Sequence, residues 1–262
     1  MTSTLETCTS STRPAAPAAG DTLFETDTKN IITYDGSAWS GYNNDGFALG
    51  ANGYSLDLDG TDDRVELGTV SILNSASQFS ITCWIKLSSS ASVPAKIFET
   101  DGAIYGGVSI YQSTQFDFIV GVSPTAYSGQ RLVRDLGDDT WHHVACTYGS
   151  STAKIYIDSV LASTTLVGVA MPSSTTSTAG TSAHIGSNIT DGHNFQGKLD
   201  DLAIFNAALT AAEVSNIYTS RIYNSAKLEH FYKFENDYTD SEGSLNGTLQ
   251  GNPIFDSSDK PY

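Results

Sequence analysis

The sequence predicts an all-β protein: a two-sheet antiparallel sandwich with one short helix and a small N-terminal β-hairpin module. Three observations carry this reading. Phe79, Ile81, Cys83, Ile85 and Leu87 alternate with Ser80, Thr82, Trp84 and Lys86, the two-residue period of a strand with one buried face. The same period returns at Phe116, Phe118 and Val120 and at Ile155 and Ile157. Short β-rich runs are separated by turns of Gly, Ser, Asp and Asn, without the strand–helix–strand alternation of a parallel sheet.

Taken along the chain, the first element is a hairpin. Residues 23–26 and 31–34 flank a polar turn at 27–30, and Asp35-Gly36 turns the chain toward Trp39. A hairpin of that size is marginal alone and must pack on something, and Phe24, Ile32, Tyr34 and Trp39 are the candidate attachment residues. The alternating strands follow, with Ser-rich runs at 88–92 and 172–182 that read as surface loops. One helix is signalled. Thr210 and Glu213 fit a capping box, and Val214, Ile217 and Tyr218 make an apolar stripe over about two turns. It is expected to plug one edge of the sandwich. The domain reading is an arm and hairpin at 1–45, a sandwich at 46–225 and a segment at 226–262 that completes the sandwich.

Length and charge narrow the setting. The 262 residues suffice for one sizeable β domain with a small appendage. Cys8, Cys83 and Cys146 are odd in number and unrelated in spacing, so neither a disulfide framework nor a zinc site is indicated, and Cys83 and Cys146 read as buried thiols. A formal net charge of −16 repels nucleic acid phosphates, leaving partners that are neutral, cationic or bridged by metal. The N-terminal run MTSTLETCTSSTRPAAPAAG has neither the basic start nor the apolar core of a secretory signal, and no later stretch is long and apolar enough for a membrane helix. Classical secretion and membrane insertion are therefore not expected.

Six segments occur in one order: YSLDLDGTDDRVEL from Tyr54, SITCWIKL from Ser80, WHHVACTY from Trp141, AKIYIDSVLAS from Ala153, HIGSN from His184 and NFQGKLDDLAIFNAALTAAEVSNIY from Asn194. Together they resemble the laminin-G-like, concanavalin A-like jelly roll. The resemblance implies an architecture that more often carries binding surfaces than catalysis. The C-terminal stretch LEHFYKFENDYTDSEGSLNGTLQGNPIF, from Leu228, is similar to the piece that usually opens such a domain. Either the domain is circularly permuted, with residues 231–234 taking their sheet position within the chain, or the segment completes a neighbouring subunit. The first alternative is favoured because chain ends in such sandwiches often lie close together. Residues 13–42, RPAAPAAGDTLFETDTKNIITYDGSAWSGY, resemble a short module of tail, fibre and other virion proteins of tailed bacteriophages.

The jelly-roll resemblance also implies a structural Ca²⁺ where an early Asp-Gly loop meets an Asp on a late strand. Asp59, Gly60 and Asp201 are the matching ligands, and hard oxygen donors suit that ion. The alternative is that these acids cap turns and face water. Asp191-Gly192-His193 stands as a segment bordering the same site. In Trp141-His142-His143, neighbouring strand residues point to opposite faces, so the two histidines cannot chelate one ion. Tyr105, Tyr111, Tyr127 and Trp141 are candidates to stack on sugar rings if exposed, with burial in the core as the alternative for each.

Some β-glucanases share the fold and carry Glu-x-Asp-x-x-Glu on one strand face. Glu25-Thr26-Asp27 and Glu99-Thr100-Asp101 lack the third acid, and Glu235, Asp237 and Asp240 offer Asp at the last place. There is no nucleophile elbow, phosphate loop or metalloprotease helix motif. The expectation is a non-enzymatic structural protein of a tailed-phage virion, decorating the capsid or built into a tail or fibre. Its partners would be other virion proteins, copies of itself and host cell-surface glycans, with no nucleic acid. The alternative is an extracellular bacterial Ca²⁺-dependent lectin or adhesin.

Overall fold

The computed structural model describes residues 6–9, 11–16, 18, 22–25, 30–34, 39–42, 47–49, 53–100, 108–112, 114–123, 126–175, 182–188, 192–224 and 226–261. Two eight-stranded sheets dominate. Sheet I runs β16 (Thr165–Gly168), β12 (Ala126–Leu132), β11 (Phe116–Ser123), β10 (Val108–Gln112), β9 (Ala95–Thr100), β17 (Ala183–Ile185), β7 (Arg64–Leu67) and β21 (Thr248–Gln250). Sheet II runs β15 (Val160–Leu161), β14 (Thr152–Ile157), β13 (His142–Gly149), β8 (Gln78–Leu87), β18 (Gln196–Phe205), β6 (Ser55–Asp59) and β22 (Ile254–Asp256), with β20 (Leu228–Tyr232) also on β18. All pairings within the two sheets are antiparallel, as the alternating patterns require.

The predicted inward rows form the core between the sheets. Phe79, Ile81, Cys83, Ile85 and Leu87 of β8 meet Phe116, Phe118 and Val120 of β11 and Ile155 and Ile157 of β14 in one apolar cluster. Phe79 and Phe118 meet edge to face at 5.9 Å, and Tyr148 lies 5.3 Å from Phe79 and donates its hydroxyl to the Pro172 carbonyl at 2.6 Å. Each such side chain removed from water contributes about 1.5–3 kcal/mol. Cys83 and Cys146 are buried within this cluster as thiols, and burial holds both above the usual thiol range.

The outer face of β8 departs from the simple alternation. Ser80, Thr82 and Trp84 are buried too, because a second apolar layer covers sheet II. Helix α1 (Ala211–Ser220) supplies Val214 and Ile217 to a cluster with Ala145, Tyr156, Ala203, Phe205 and Phe231. The helix begins as its sequence predicts: Thr210 accepts from the Glu213 amide and the Glu213 carboxylate accepts from the Thr210 amide. It therefore lies on a sheet face, a correction to the edge plug expected above. The physical reason is the apolar outer row Ala145, Ala203 and Phe205, which needs a cover.

The C-terminal segment pairs within the chain. β20 takes the half of β18 beyond the stretch that β6 occupies, while β21 joins β7 and β22 joins β6. Side chains fasten it: Lys198 bridges Asp57 and Asp256 at 2.7 and 2.8 Å, and Asp259 accepts from Lys86 and from the Trp141 indole. At the N-terminus, β2 (Thr22–Glu25) and β3 (Asn30–Tyr34) pair antiparallel, one residue earlier at their starts than expected, and β1 (Glu6–Cys8) and β4 (Trp39–Tyr42) extend them to a four-stranded sheet. β5 (Phe47–Leu49) pairs with β19 (Ile222–Asn224). The side chains of Phe24, Ile32, Tyr34 and Trp39 lie outside the described residues.

Candidate functional site

Because Ile110, Phe98 and Phe118 point into the core, their strand neighbours must face outward from sheet I. Cross-strand pairing arranges those neighbours in two rows. One row runs Glu66, His184, Glu99, Ser109, Ile119 and Gly129, and the other runs Lys96, Tyr111, Asp117 and Arg131. An irregularity in β9 makes this possible. Phe98 pairs with Ile110 and Lys96 with Tyr111, leaving Ile97 as an extra residue. Without that bulge, Lys96 and Glu99 would sit on opposite faces.

The rows floor a cleft of about 240 Å³ lined by Pro94, Lys96, Ser109, Tyr111, Ile119, Tyr127 and His193. The floor's charges are paired internally. Lys96 Nζ lies 2.6 Å from the Glu99 carboxylate, with side chains only 4% and 6% exposed, and also donates to Ser109 Oγ at 3.1 Å. The same ammonium stands 4.5 Å over the Tyr111 ring. Arg131 donates to both oxygens of buried Asp117 at 2.7 and 2.8 Å, a bidentate pair of fixed geometry. Burial, followed by the Asp117 carboxylate, pushes the Tyr111 phenol above its usual range. The hydrogen bond from Arg131 to Asp117 raises the guanidinium further, so that group stays charged. Tyr127 and His193 are half-buried walls. A rigid polar floor beside two aromatic faces can bind hydroxyl groups and an apolar ring face together.

A short acidic loop joins β6 to β7. Asp59, Asp62 and Asp63 each offer a carboxylate oxygen within 4.8 Å of the others. Gly60 turns the loop at φ +77°, where a Cβ would stand 2.7 Å from Gln196 Cβ, so the position requires glycine. Two of the acids already accept backbone amides: Asp63 from Asp59 and Asn252, and Asp59 from Thr61. The donor set fits Ca²⁺ chemically, with Asp59, Asp62 and Asp63 as the carboxylates. Asn194 donates its side-chain amide to the Thr61 carbonyl, and His193 next to it accepts the Lys96 backbone amide at 3.1 Å. Residues 193–194 thus join the acidic loop to the cleft wall. Asp191 lies outside the described residues.

Asp201 does not belong with Asp59, a correction to the ligand set expected above. Asp59 pairs with Gln196 at the start of β18, and five residues of strand separate Asp201 from that point, roughly 16 Å at strand rise. Asp201 is buried and accepts from Arg221 Nε at 2.7 Å and from the Tyr223 hydroxyl at 3.2 Å. Its neighbour Asp200 is also buried against Arg221, and burial first and the Asp201 charge second hold its carboxyl far above the usual range.

Of the aromatic candidates, Tyr111 and Tyr127 line the cleft, Trp141 is tied to Asp259, and Tyr105 lies outside the described residues. The two histidines separate as expected. The His142 ring lies between the carboxylates of Asp158 at 2.8 Å and Asp138 at 3.2 Å, which can only accept from it, whereas His143 is buried beneath Trp84 and Tyr218 on the other face. Sequence reasoning passed over Lys96, Ser109, Ile119 and Pro94. The available signal was Lys96 itself, a lone cation inside an otherwise strand-like run.

No curated protein matches the chain by sequence. Solved structures share its fold. A proposed carbohydrate binding protein from Bacteroides ovatus aligns with a TM-score of 0.56 at 16% identity over 81% of this chain, which spans 61% of that protein's length. The heptameric SAP-like pentraxin of Limulus polyphemus aligns at 0.53 with 14% identity, over 80% of this chain and 98% of its own. Domain 4 of AbnA, a GH43 extracellular arabinanase from Geobacillus stearothermophilus solved in complex with arabinotriose, aligns at 0.52 with 23% identity, over 66% of this chain and 80% of its own. A family model matches residues 59–215, more than half of the chain. By that match, the chain belongs to the laminin-G-like family of the concanavalin A-like lectin/glucanases superfamily.

Proposed function

We propose that this chain is a non-catalytic glycan-binding module whose cleft on sheet I takes one uncharged sugar unit. The observation that carries the reading is the cleft's lining: Tyr111 beside Ser109 on the floor and Tyr127 on the wall, with each floor cation compensated by a carboxylate. A sugar's hydroxyls can bond to such a floor without breaking it. An acidic sugar would have to displace Glu99 from Lys96, and separating a buried pair costs about 3–5 kcal/mol. The chain's net charge of −16 opposes acidic ligands as well. The arabinotriose-bound arabinanase domain and the Bacteroides protein support sugar as the ligand class.

The same pairing argues against glycoside hydrolysis. Glycosidases need two carboxyls placed to act on one bond, and here Glu99 and Asp117 are each held by a cation. A glycan array displaying neutral and uronic or sialic oligosaccharides tests the reading. Binding confined to neutral glycans, without cleavage of the bound sugar, is the expected result. Preferential binding of acidic glycans, or release of shorter sugars, would sink it.

The setting we propose is a tailed-phage particle, with the module of residues 13–42 as the attachment and the sandwich displayed outward. Purified virions should then contain the chain in stoichiometric amount by mass spectrometry. Its absence from virions and presence as a free extracellular protein would instead favour the bacterial lectin reading, which the cleft supports equally well.

A further inference from the structure

One flank of the sandwich differs from the rest of the surface. Among the described residues, β15 ends sheet II and β16 ends sheet I there. The chain passes directly from one to the other, and Val160 (68% exposed), Leu161 (54%), Leu166 (52%) and Val169 (46%) lie along it in water, with Val133 (72%) beside them at the end of β12. Between Asp158 and His184 the sequence has no charged side chain, the longest such run in a strongly acidic chain. An exposed apolar edge strand without lysine or proline lacks the devices that usually block strand pairing.

We infer that β16 pairs with β16 of a second copy of this chain across a two-fold axis, continuing sheet I from one protomer into the next. Three features favour a second copy as the occupant. Val169 donates its amide to the Tyr127 carbonyl, so by antiparallel alternation Leu166 and Gly168 turn their N–H and C=O groups to the open edge. A two-fold pairing of that edge with itself satisfies donors and acceptors on both sides with one surface. The apolar side chains flanking it meet their own counterparts, as a self-complementary contact requires. Finally, two chains of net charge −16 repel each other, and this uncharged flank is where they can approach with the least acid-to-acid contact.

The test is the solution mass of the full chain, by sedimentation equilibrium from low to high micromolar concentration. The mass should rise toward a dimer, and added salt should strengthen association by screening the repulsion. Leu161→Lys and Leu166→Lys should each shift the monomer–dimer midpoint at least tenfold higher while leaving the melting temperature of the monomer, read at low concentration, unchanged, since both sites are exposed. Hydrogen exchange supplies a reading that needs no variant: amides of Leu166 and Gly168 should become protected as concentration rises. A wild-type chain that stays monomeric throughout overturns the proposal. So does a dimer insensitive to both lysines with concentration-independent exchange at residues 165–168, which would place the contact elsewhere, as in the N-terminal sheet.

Discussion

At the scale of single residues, the two neighbouring histidines have opposite effects on stability. Burial pulls His143 down from 6.5 to about 3, and among the described residues neither ring nitrogen has a hydrogen-bond partner. Asp158 and Arg221 act on it in opposite directions and leave burial dominant. Between those two values the unfolded chain binds a proton that the folded chain refuses, so stability falls as pH drops through the window. At pH 5 the loss is on the order of 2 kcal/mol, from about 1.4 kcal/mol per pH unit. His142 has the reverse sign: its hydrogen bond to Asp158 raises it, so its contribution is full below the ordinary value and is lost as pH rises through the folded one. Replacing His143 with Leu should therefore flatten the acid side of the stability profile. Urea melts of both proteins at pH 7 and pH 5 check this, and an unchanged difference between the two pH values would show that His143 does not titrate with unfolding. That the two rings lie on opposite faces follows from strand period alone, which made it legible in the sequence. The burial of His143 was not, because it depends on Trp84 and on Tyr218 from a helix far along the chain.

At the scale of elements, periodicity placed the inward row of β8, and the capping box placed the start of α1. What it could not place was the cover on the outer face of sheet II, since Ser80 and Thr82 read as solvent-facing until the helix and the segment leading into it, where Ala207 and Leu209 bond Ser80, cover that face. The bulge at Ile97 was hidden for a similar reason. One extra residue reverses the facing of everything beyond it, so strict alternation separates Lys96 from Glu99, whereas the sheet brings them together. The acidic loop was partly legible. Asp59 clusters with Asp62 and Asp63, whereas strand register carries Asp201 away from that loop. If Ca²⁺ binds there, it orders the loop whose Thr61 carbonyl holds Asn194, and through it the wall at His193. Calcium should then raise the melting temperature by mass action and tighten sugar binding, with Asp62→Asn weakening both. Calorimetry with and without EDTA gives the answer, and identical transitions would leave these acids as solvated turn caps.

At the scale of the whole molecule, the sandwich separates two surfaces. The outer face of sheet I holds the polar cleft, while the flank formed by β15 and β16 is apolar and uncharged. Pairing across that flank would set two clefts on one continuous sheet and so raise avidity for a repeated glycan without new contacts. The most direct test is isothermal titration of the full chain with neutral and uronic oligosaccharides, at low and high salt, beside the Tyr127→Ala variant. A neutral sugar should bind with an affinity that salt hardly changes, and removing the half-buried Tyr127 ring should weaken it at least tenfold, or about 1.4 kcal/mol. Stronger, salt-sensitive binding of the acidic sugar, or full affinity in Tyr127→Ala, would contradict the assignment of this cleft.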